Sequence, residues 1–263
     1  MNVIYARYNR HRRPPFQIET SIGELNGAKT VVKKALTPAA AAHIRAVRSG
    51  YELVKGRLNA GGLELPRLIG FDDSSIVFQY ISGVSFDQAL FNSFRAGDRA
   101  GFLRIIDDYC ALLKKSFRVA ARPDINAQIS AVFGINAADY PDNGKEWLPL
   151  AVIDAVFENI IISGNSRFLI DNEWVFEGGV PLAFIIYRSL FYFHCVKYSE
   201  IGIEKWIPFE ELLGHCRILP EEAGRYRAME EHFQAHVYGS ERCYRYKESY
   251  KKEEVSLAQM EQT

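Results

Sequence analysis

Val152-Ile-Asp-Ala-Val-Phe-Glu-Asn159, followed by Ser163-Gly-Asn-Ser-Arg167, Phe168-Leu-Ile170 and Asp171, is the stretch on which the fold turns. Asp154 and Asn159 are separated by four residues; a Gly-Asn turn and a short apolar strand follow, and Asp171 closes that strand. A carboxylate and an amide carbonyl are hard oxygen donors of the kind Mg²⁺ takes. Asn159 and Asp171 are therefore candidate metal ligands. Asp154 is a separate carboxylate, suited to orienting a hydroxyl group and accepting its proton.

Working upstream, Phe16-Gln-Ile-Glu-Thr-Ser-Ile22 alternates as a strand does, and Asn26-Gly27 is a strong hairpin signal before a second strand through Val31 and Val32 to Leu36. Thr37-Pro38 predicts a helix start, with a hydroxyl at the N-cap and proline at the first position. That helix is expected to continue towards Leu58, with an interruption near Ser49-Gly50. Pro66 to Phe78 supplies two short strands around the Asp72-Asp-Ser-Ser75 turn, and Ser85-Phe-Asp-Gln88 fits a capping box. From Asp98 to Ser116 the apolar residues Phe102, Ile105, Ile106, Tyr109, Leu112 and Leu113 keep helical spacing. Strands, one helix, strands and then helices describe an α+β chain with a small β-rich lobe, a connector near Tyr80 to Gly83 and a larger helical lobe.

The chain has 263 residues, 48% of them hydrophobic, with 32 basic residues against 32 acidic ones, so a polyanion-binding surface is not expected and nucleic acid is not an expected partner. The four cysteines are scattered with no CxxC pair, which fits a reducing compartment. The polar, arginine-rich start lacks the apolar stretch of a signal peptide. Val180 to Phe193 is too short to span a bilayer and carries Arg188, so it is expected to be a buried helix. A cytoplasmic protein is the expectation.

An acid, an amide five positions on, a hairpin and a second acid at a strand end resemble the layout of kinase-like phosphotransferases. That resemblance implies ATP and Mg²⁺ as cofactors, with Asp154 as catalytic base and Asn159 and Asp171 on the metal. It also implies a phosphate-holding lysine in Val31-Val-Lys-Lys34 and a glutamate on the next helix to position it. Glu52 lies nineteen residues after Lys33 and is the candidate glutamate. Alternation favours Lys33, because Val31 then shares its side; a one-residue register change would substitute Lys34. Ile76-Val-Phe-Gln-Tyr-Ile-Ser-Gly83 resembles the strand that becomes the kinase hinge, with Phe78 behind the pocket and the C=O of Gln79 and N–H of Ile81 on the adenine edge.

Further segments extend the likeness: Pro15-Phe-Gln-Ile-Glu-Thr20, Val32-Lys-Lys-Ala-Leu-Thr37 with His43-Ile44, Val132-Phe-Gly134, Phe157-Glu-Asn-Ile-Ile161, Ile170-Asp-Asn-Glu-Trp174 and Phe184-Ile-Ile-Tyr-Arg188. Together they look like bacterial kinase-like domains that accompany glycosyltransferases or methyltransferases of surface-polysaccharide (lipopolysaccharide, O-antigen) assembly. The implied acceptor is a carbohydrate-linked or other small hydroxyl compound. The implied organisation is an extended arm over 1–15, a nucleotide-binding lobe over 16–82, a helical lobe over 83–250 and a tail over 251–263.

Several positions depart from the pattern. Val152 stands where many kinases have histidine, Ser21 to Gly27 is not a full GxGxxG loop, and Asp171 is followed by Asn-Glu-Trp rather than Phe-Gly. These departures motivate the alternative of a pseudokinase, a nucleotide-binding or scaffolding partner of a polysaccharide-modifying enzyme. Phe117 to Leu150 is expected to line the acceptor pocket. Glu173, Trp174 and Arg188 are expected either to brace the metal site or, for Glu173, to approach the cation. His194-Cys195 and His215-Cys216 are expected to be structural rather than zinc ligands.

Overall fold

The computed structural model describes residues 2–121, 125–136 and 145–239. Its first layer is a five-stranded antiparallel sheet built from β1 (Asn2–Tyr8), β2 (Ile18–Leu25), β3 (Ala28–Ala35), β4 (Leu68–Phe71) and β5 (Ser75–Gln79), in the order β1-β2-β3-β5-β4. Asn26 and Gly27 both take positive φ, 52° and 77°, which is the backbone a two-residue hairpin requires. Helix α1 (Ala41–Arg57) covers one face of the sheet through Ile44, Val47 and Tyr51, which pack on Ile18, Ile76 and Phe78. Thr37 begins the helical region as anticipated: its hydroxyl accepts from Ala40 N–H at 3.2 Å, and Pro38 opens a single 3₁₀ turn ahead of α1.

Helix α1 passes Ser49-Gly50 without a break. Gly50 is there for packing: a Cβ at that position would lie 2.9 Å from a Val175 methyl group, so the absence of a side chain lets α1 approach the second lobe. Within the segment expected to be an extended arm (1–15), Asn2–Tyr8 form strand β1, paired along β2 from Asn2↔Glu24 to Tyr8↔Glu19.

The second lobe has its own, larger core. It contains β6 (Val84–Ser85), α2 (Phe86–Arg95), α3 (Arg99–Ser116), α4 (Ala127–Phe133), β7 (Trp147–Val152), β8 (Ile160–Ser163), β9 (Ser166–Leu169) and β10 (Val175–Pro181). Helices α5 (Leu182–Phe191), α6 (Ile203–Trp206), α7 (Phe209–His215) and α8 (Pro220–Tyr238) complete it. Ser85 caps α2 by accepting from Gln88 N–H at 3.0 Å, as the capping box predicts. Two small sheets frame the loop that carries Asp154: β7 pairs with β10, and β6-β8-β9 forms the other. The connector between lobes ends at Gly83, whose φ is +156° and where a Cβ would fall 2.2 Å from the carbonyl oxygen of Ile162. The connector is thereby pressed against the hairpin that follows Asn159.

Helix α5 is buried along nearly its whole length, as its composition predicts, and among the described residues no helix is long and apolar enough to cross a membrane. Of the segment expected to line an acceptor pocket, α4 packs into the core, with Phe133 stacked on Phe233 at 5.6 Å, and residues 137–144 lie outside the described residues. Cys110, Cys195 and Cys216 are free thiols; Cys243 and the tail beyond Tyr250 also lie outside the described residues.

Candidate active site

Lys33 of the first lobe and Asp154, Asn159 and Asp171 of the second come together between the lobes. On β3, Lys33 is buried at 4% exposure while Lys34 is solvent-exposed, so alternation turns Lys33 inward and settles which lysine faces the cleft. Its Nζ lies 2.7 Å from Asp171 Oδ1 and 3.5 Å from Glu173 Oε2, both in the segment after β9. Asp154, Asn159, Asp171 and Glu173 line one cavity of about 280 Å³ together with Arg12 and Arg7 from the first lobe.

Local hydrogen bonds fix the loop that presents these groups. Ile153 N–H donates to Trp174 C=O at 2.9 Å, tying the end of β7 to the segment after Asp171. Ile170 N–H donates to Asn159 C=O at 2.9 Å, which sets Asn159 beside the strand that ends at Asp171. The Asn159 amide nitrogen donates to the Asp154 carbonyl at 3.0 Å, so its side-chain oxygen is turned away from that carbonyl. The carbonyls of Ile153 and Ala155 accept from Arg188 Nη1 and, at 2.8 Å, from the Tyr109 hydroxyl. Arg188 is itself held by Glu230, with Nε to Oε2 at 2.5 Å, and sits 3.7 Å from Asp154 Oδ1. Val152, which stands where many kinases have histidine, fills the core; Arg188 and Tyr109 hold the loop from below.

Glu173 is the electrostatic centre of the site. Buried at 6% exposure, it accepts from His43 Nε2 on α1 at 2.8 Å, pairs with Arg12, and faces Lys33. Burial opposes its charge, but Arg12, Lys33 and His43 hold its carboxyl well below the usual glutamate range. Glu52 does not take the role expected of it. Nine residues at ~100° each put it about half a turn round α1 from His43, and it is exposed to solvent. The group that α1 turns towards the lysine is His43, acting through Glu173.

Asp154 behaves oppositely. Burial, then the neighbouring charge of Asp171, push its carboxyl up to about 7, against the pull of Arg188. The folded chain therefore keeps this proton up to about pH 7, whereas the unfolded chain loses it near 3.8. Stability must fall as pH rises between those values, by at most about 4 kcal/mol. Glu173 has the contrary sign, and its contribution fades only as pH drops below the ordinary glutamate range. We predict that Asp154→Asn removes the higher-pH loss. In urea unfolding without added metal, the variant gains on the wild type between pH 4 and pH 8, and a constant difference would show Asp154 ionised throughout.

Both bonds to Asp171 fall on Oδ1, from Lys33 and from Glu173 N–H at 3.1 Å, and Oδ2 takes none among the described residues. With the Asn159 oxygen this gives two hard donors, a set that fits Mg²⁺, which keeps several waters and binds substrate phosphates alongside one or two protein ligands. Among the described residues no cluster of three His, Cys, Asp or Glu side chains is placed to hold a metal. His194 Nε2 is 2.9 Å from Ile207 C=O and His215 Nε2 is 2.8 Å from Asp107.

At the proposed adenine end, Gln79 N–H donates to Arg67 C=O at 2.9 Å and Ile81 lies in the connector; neither lines the cavity that holds Asp154. Gln79 pairs with Thr30 and Ile76 with Lys33, so the hinge begins about 10 Å along the strand from the lysine. The turn at Asn26-Gly27 is farther still. Register pairs Lys33 with Thr20 and Ala28 with Leu25, which puts that turn at the sheet end away from Lys33. The connection at the Lys33 end is residues 9–17, between β1 and β2. Sequence reasoning missed the roles of His43 and Glu230, and it offered the arginine-rich arm as a dock for phosphate or an anionic glycan without singling out Arg12. The cluster of arginines at 10–13 was the one available signal.

A five-stranded sheet carrying one helix, a connector, a helical lobe, and an amine–carboxylate contact across the cleft define a protein-kinase-like fold. The chain matches no protein-family model and no curated protein by sequence. It is similar to solved structures of a macrolide 2′-phosphotransferase from Brachybacterium faecium, at 12% identity and a TM-score of 0.40 over 98% of this chain and 90% of that one. It is also similar to a thermostable mutant of an aminoglycoside phosphotransferase, APH(4)-Ia, at 12% identity, a TM-score of 0.42 and coverage of 94% and 95%. A third is the Plasmodium vivax ethanolamine kinase, at 12% identity, a TM-score of 0.38 and coverage of 89% and 72%. Overlaps of this size assign no residue roles, which rest on the geometry above.

Proposed function

We propose that the protein is an ATP- and Mg²⁺-dependent phosphotransferase acting on a hydroxyl of a carbohydrate or other small acceptor. One observation carries the reading: Lys33 of the sheet lobe meets Asp171 of the helical lobe at 2.7 Å, at a cavity that Asp154 and Asn159 also line. The sequence resemblance to kinase-like domains of surface-polysaccharide assembly supports a sugar-linked acceptor, with a glycosyltransferase or methyltransferase as working partner.

In this reading Asn159 and Asp171 would hold the cation, which would supply charge neutralisation of the phosphate oxygens. Lys33, anchored by Asp171 and Glu173, donates to the nucleotide phosphates. Gln79 C=O and Ile81 N–H meet the adenine edge. Asp154 orients the acceptor hydroxyl and takes its proton as the new O–P bond forms; the bond between the γ-phosphorus and the bridging oxygen breaks, and ADP leaves with that electron pair. Its carboxyl, held near 7, suits a group that must both take and release a proton.

The experiment is thermal unfolding with ATP or GTP, with and without Mg²⁺, followed by transfer assays over a panel of glycan and amino-alcohol hydroxyls. A ligand at 100 times its Kd stabilises the folded state by about 2.7 kcal/mol, so Tm is expected to rise with nucleotide plus Mg²⁺. No rise with either nucleotide would defeat the reading. A rise with no transfer across the panel would favour the nucleotide-binding partner instead.

A further inference from the structure

A chain that positions a polyphosphate over Asp171 and Asn159 needs donors above it as well as Lys33 beside it. Backbone N–H groups of a glycine-rich loop commonly supply them. The connection at that end of the sheet, Asn9-Arg-His-Arg-Arg-Pro-Pro-Phe-Gln17, contains no glycine. Five of its seven main-chain donors are already committed. Asn9 N–H donates to Ile18 C=O, Arg12 to Asn9, Arg13 to Val237, Phe16 to Arg13 and Gln17 to Pro14, at 2.8–3.4 Å. Pro14 and Pro15 have no N–H to give.

The side chains compensate. Arg12 lines the cavity with Asp154, Asn159 and Asp171. The guanidinium is bonded to Glu173 through Nη1 and also to Tyr238, while Nε is buried without a hydrogen-bond partner. A guanidinium held at one edge by a carboxylate, with a dry donor left over, is pre-organised for a second oxyanion. The loop is also docked to the other lobe: Arg13 N–H donates to Val237 C=O at 3.0 Å, and His11 stacks on Tyr238 at 5.5 Å, both at the end of α8. That docking keeps Arg12 over the site. Four carboxylates line the cavity, Asp154, Glu158, Asp171 and Glu173, so a phosphate chain there requires fixed cations.

We infer that Arg12 is a phosphate-binding residue, replacing a backbone cradle with a guanidinium that bridges Glu173 and the oxyanions of a bound polyphosphate. The inference takes the identity of that polyphosphate, a nucleoside triphosphate, from the phosphotransferase reading. Tripolyphosphate probes the anion site without it.

Calorimetric titration of the full chain with ATP, tripolyphosphate and adenosine, all in Mg²⁺, tests the inference. Arg12→Gln is expected to weaken ATP and tripolyphosphate by about tenfold or more and to leave adenosine unchanged. Arg12→Lys keeps the charge opposite Glu173, and so the fold, and is expected to lose several-fold on the same two ligands; it decides the matter if Arg12→Gln does not fold. Equal losses for adenosine and ATP would make Arg12 a strut for Glu173 and overturn the inference, as would unchanged affinities in both variants. Arg12-dependent binding of tripolyphosphate with no binding of ATP or adenosine would uphold the anion site while the nucleotide reading fell. A wild type that binds none of the three would remove both.

Discussion

Asparagine at position 171 is expected to stop Mg²⁺-dependent phosphoryl transfer while leaving the protein folded. The substitution is nearly isosteric, and the retained Oδ1 still accepts from Lys33 and from Glu173 N–H, contacts of 2.7 and 3.1 Å in the parent. Asp171 has a side-chain exposure of 30% and lies outside either core, so little packing is at stake. What disappears is the charge. An amide is a poor substitute for a carboxylate on a divalent cation, and removal of one electrostatic contributor to a phosphoryl-transfer site costs on the order of 10²–10³ in rate. The same change relieves the repulsion that helps hold Asp154 near 7, so the Asp154 carboxyl moves down in the variant. Transfer measured with γ-labelled ATP, together with far-ultraviolet dichroism and Tm, separates the two effects. Undiminished transfer in a folded Asp171→Asn protein would remove Asp171 from the mechanism.

The groups that could be identified from sequence are those whose relation is local. Asp154, Asn159 and Asp171 lie within eighteen consecutive residues, joined by a hairpin of ordinary geometry, so their convergence follows from strand pairing. Lys33 was within reach because β3 has one buried and one exposed neighbour at that point, and the period of two discriminates them. Glu52 failed for the converse reason. A spacing of nineteen residues crosses a turn and a helix start, and it fixes neither where α1 begins nor which side of it faces the sheet. Strand β1 was opaque because it is an edge strand; Val3, Ile4 and Tyr5 are all about half exposed, and no alternation marks it. With β1 unseen, residues 9–15 read as part of an extended arm and the Ser21–Gly27 turn stood in the place of the glycine-rich loop. Arg188 and Glu230 meet from helices forty-two residues apart, a contact that no local pattern encodes.

The position of the lysine-anchoring carboxylate yields the second large effect. Replacing Glu173 by glutamine leaves Arg12 and Lys33 as buried cations facing each other's neighbourhood, with His43 deprived of its charged partner. Breaking a buried pair from one side costs about 3–5 kcal/mol. The surviving Lys33–Asp171 contact holds the amine to one carboxylate, the same one proposed to bind the cation, so transfer should fall even where the variant folds. Glu52→Gln changes an exposed charge on the far side of α1, and its expected effect on stability is within about 0.5 kcal/mol. Urea midpoints and kcat/KM for ATP on both variants settle the order. Glu173→Gln should be low in both measurements and Glu52→Gln near the wild type in both. A damaged Glu52→Gln beside an unaffected Glu173→Gln would mean that the lysine turns towards the helix when nucleotide binds and leaves Glu173.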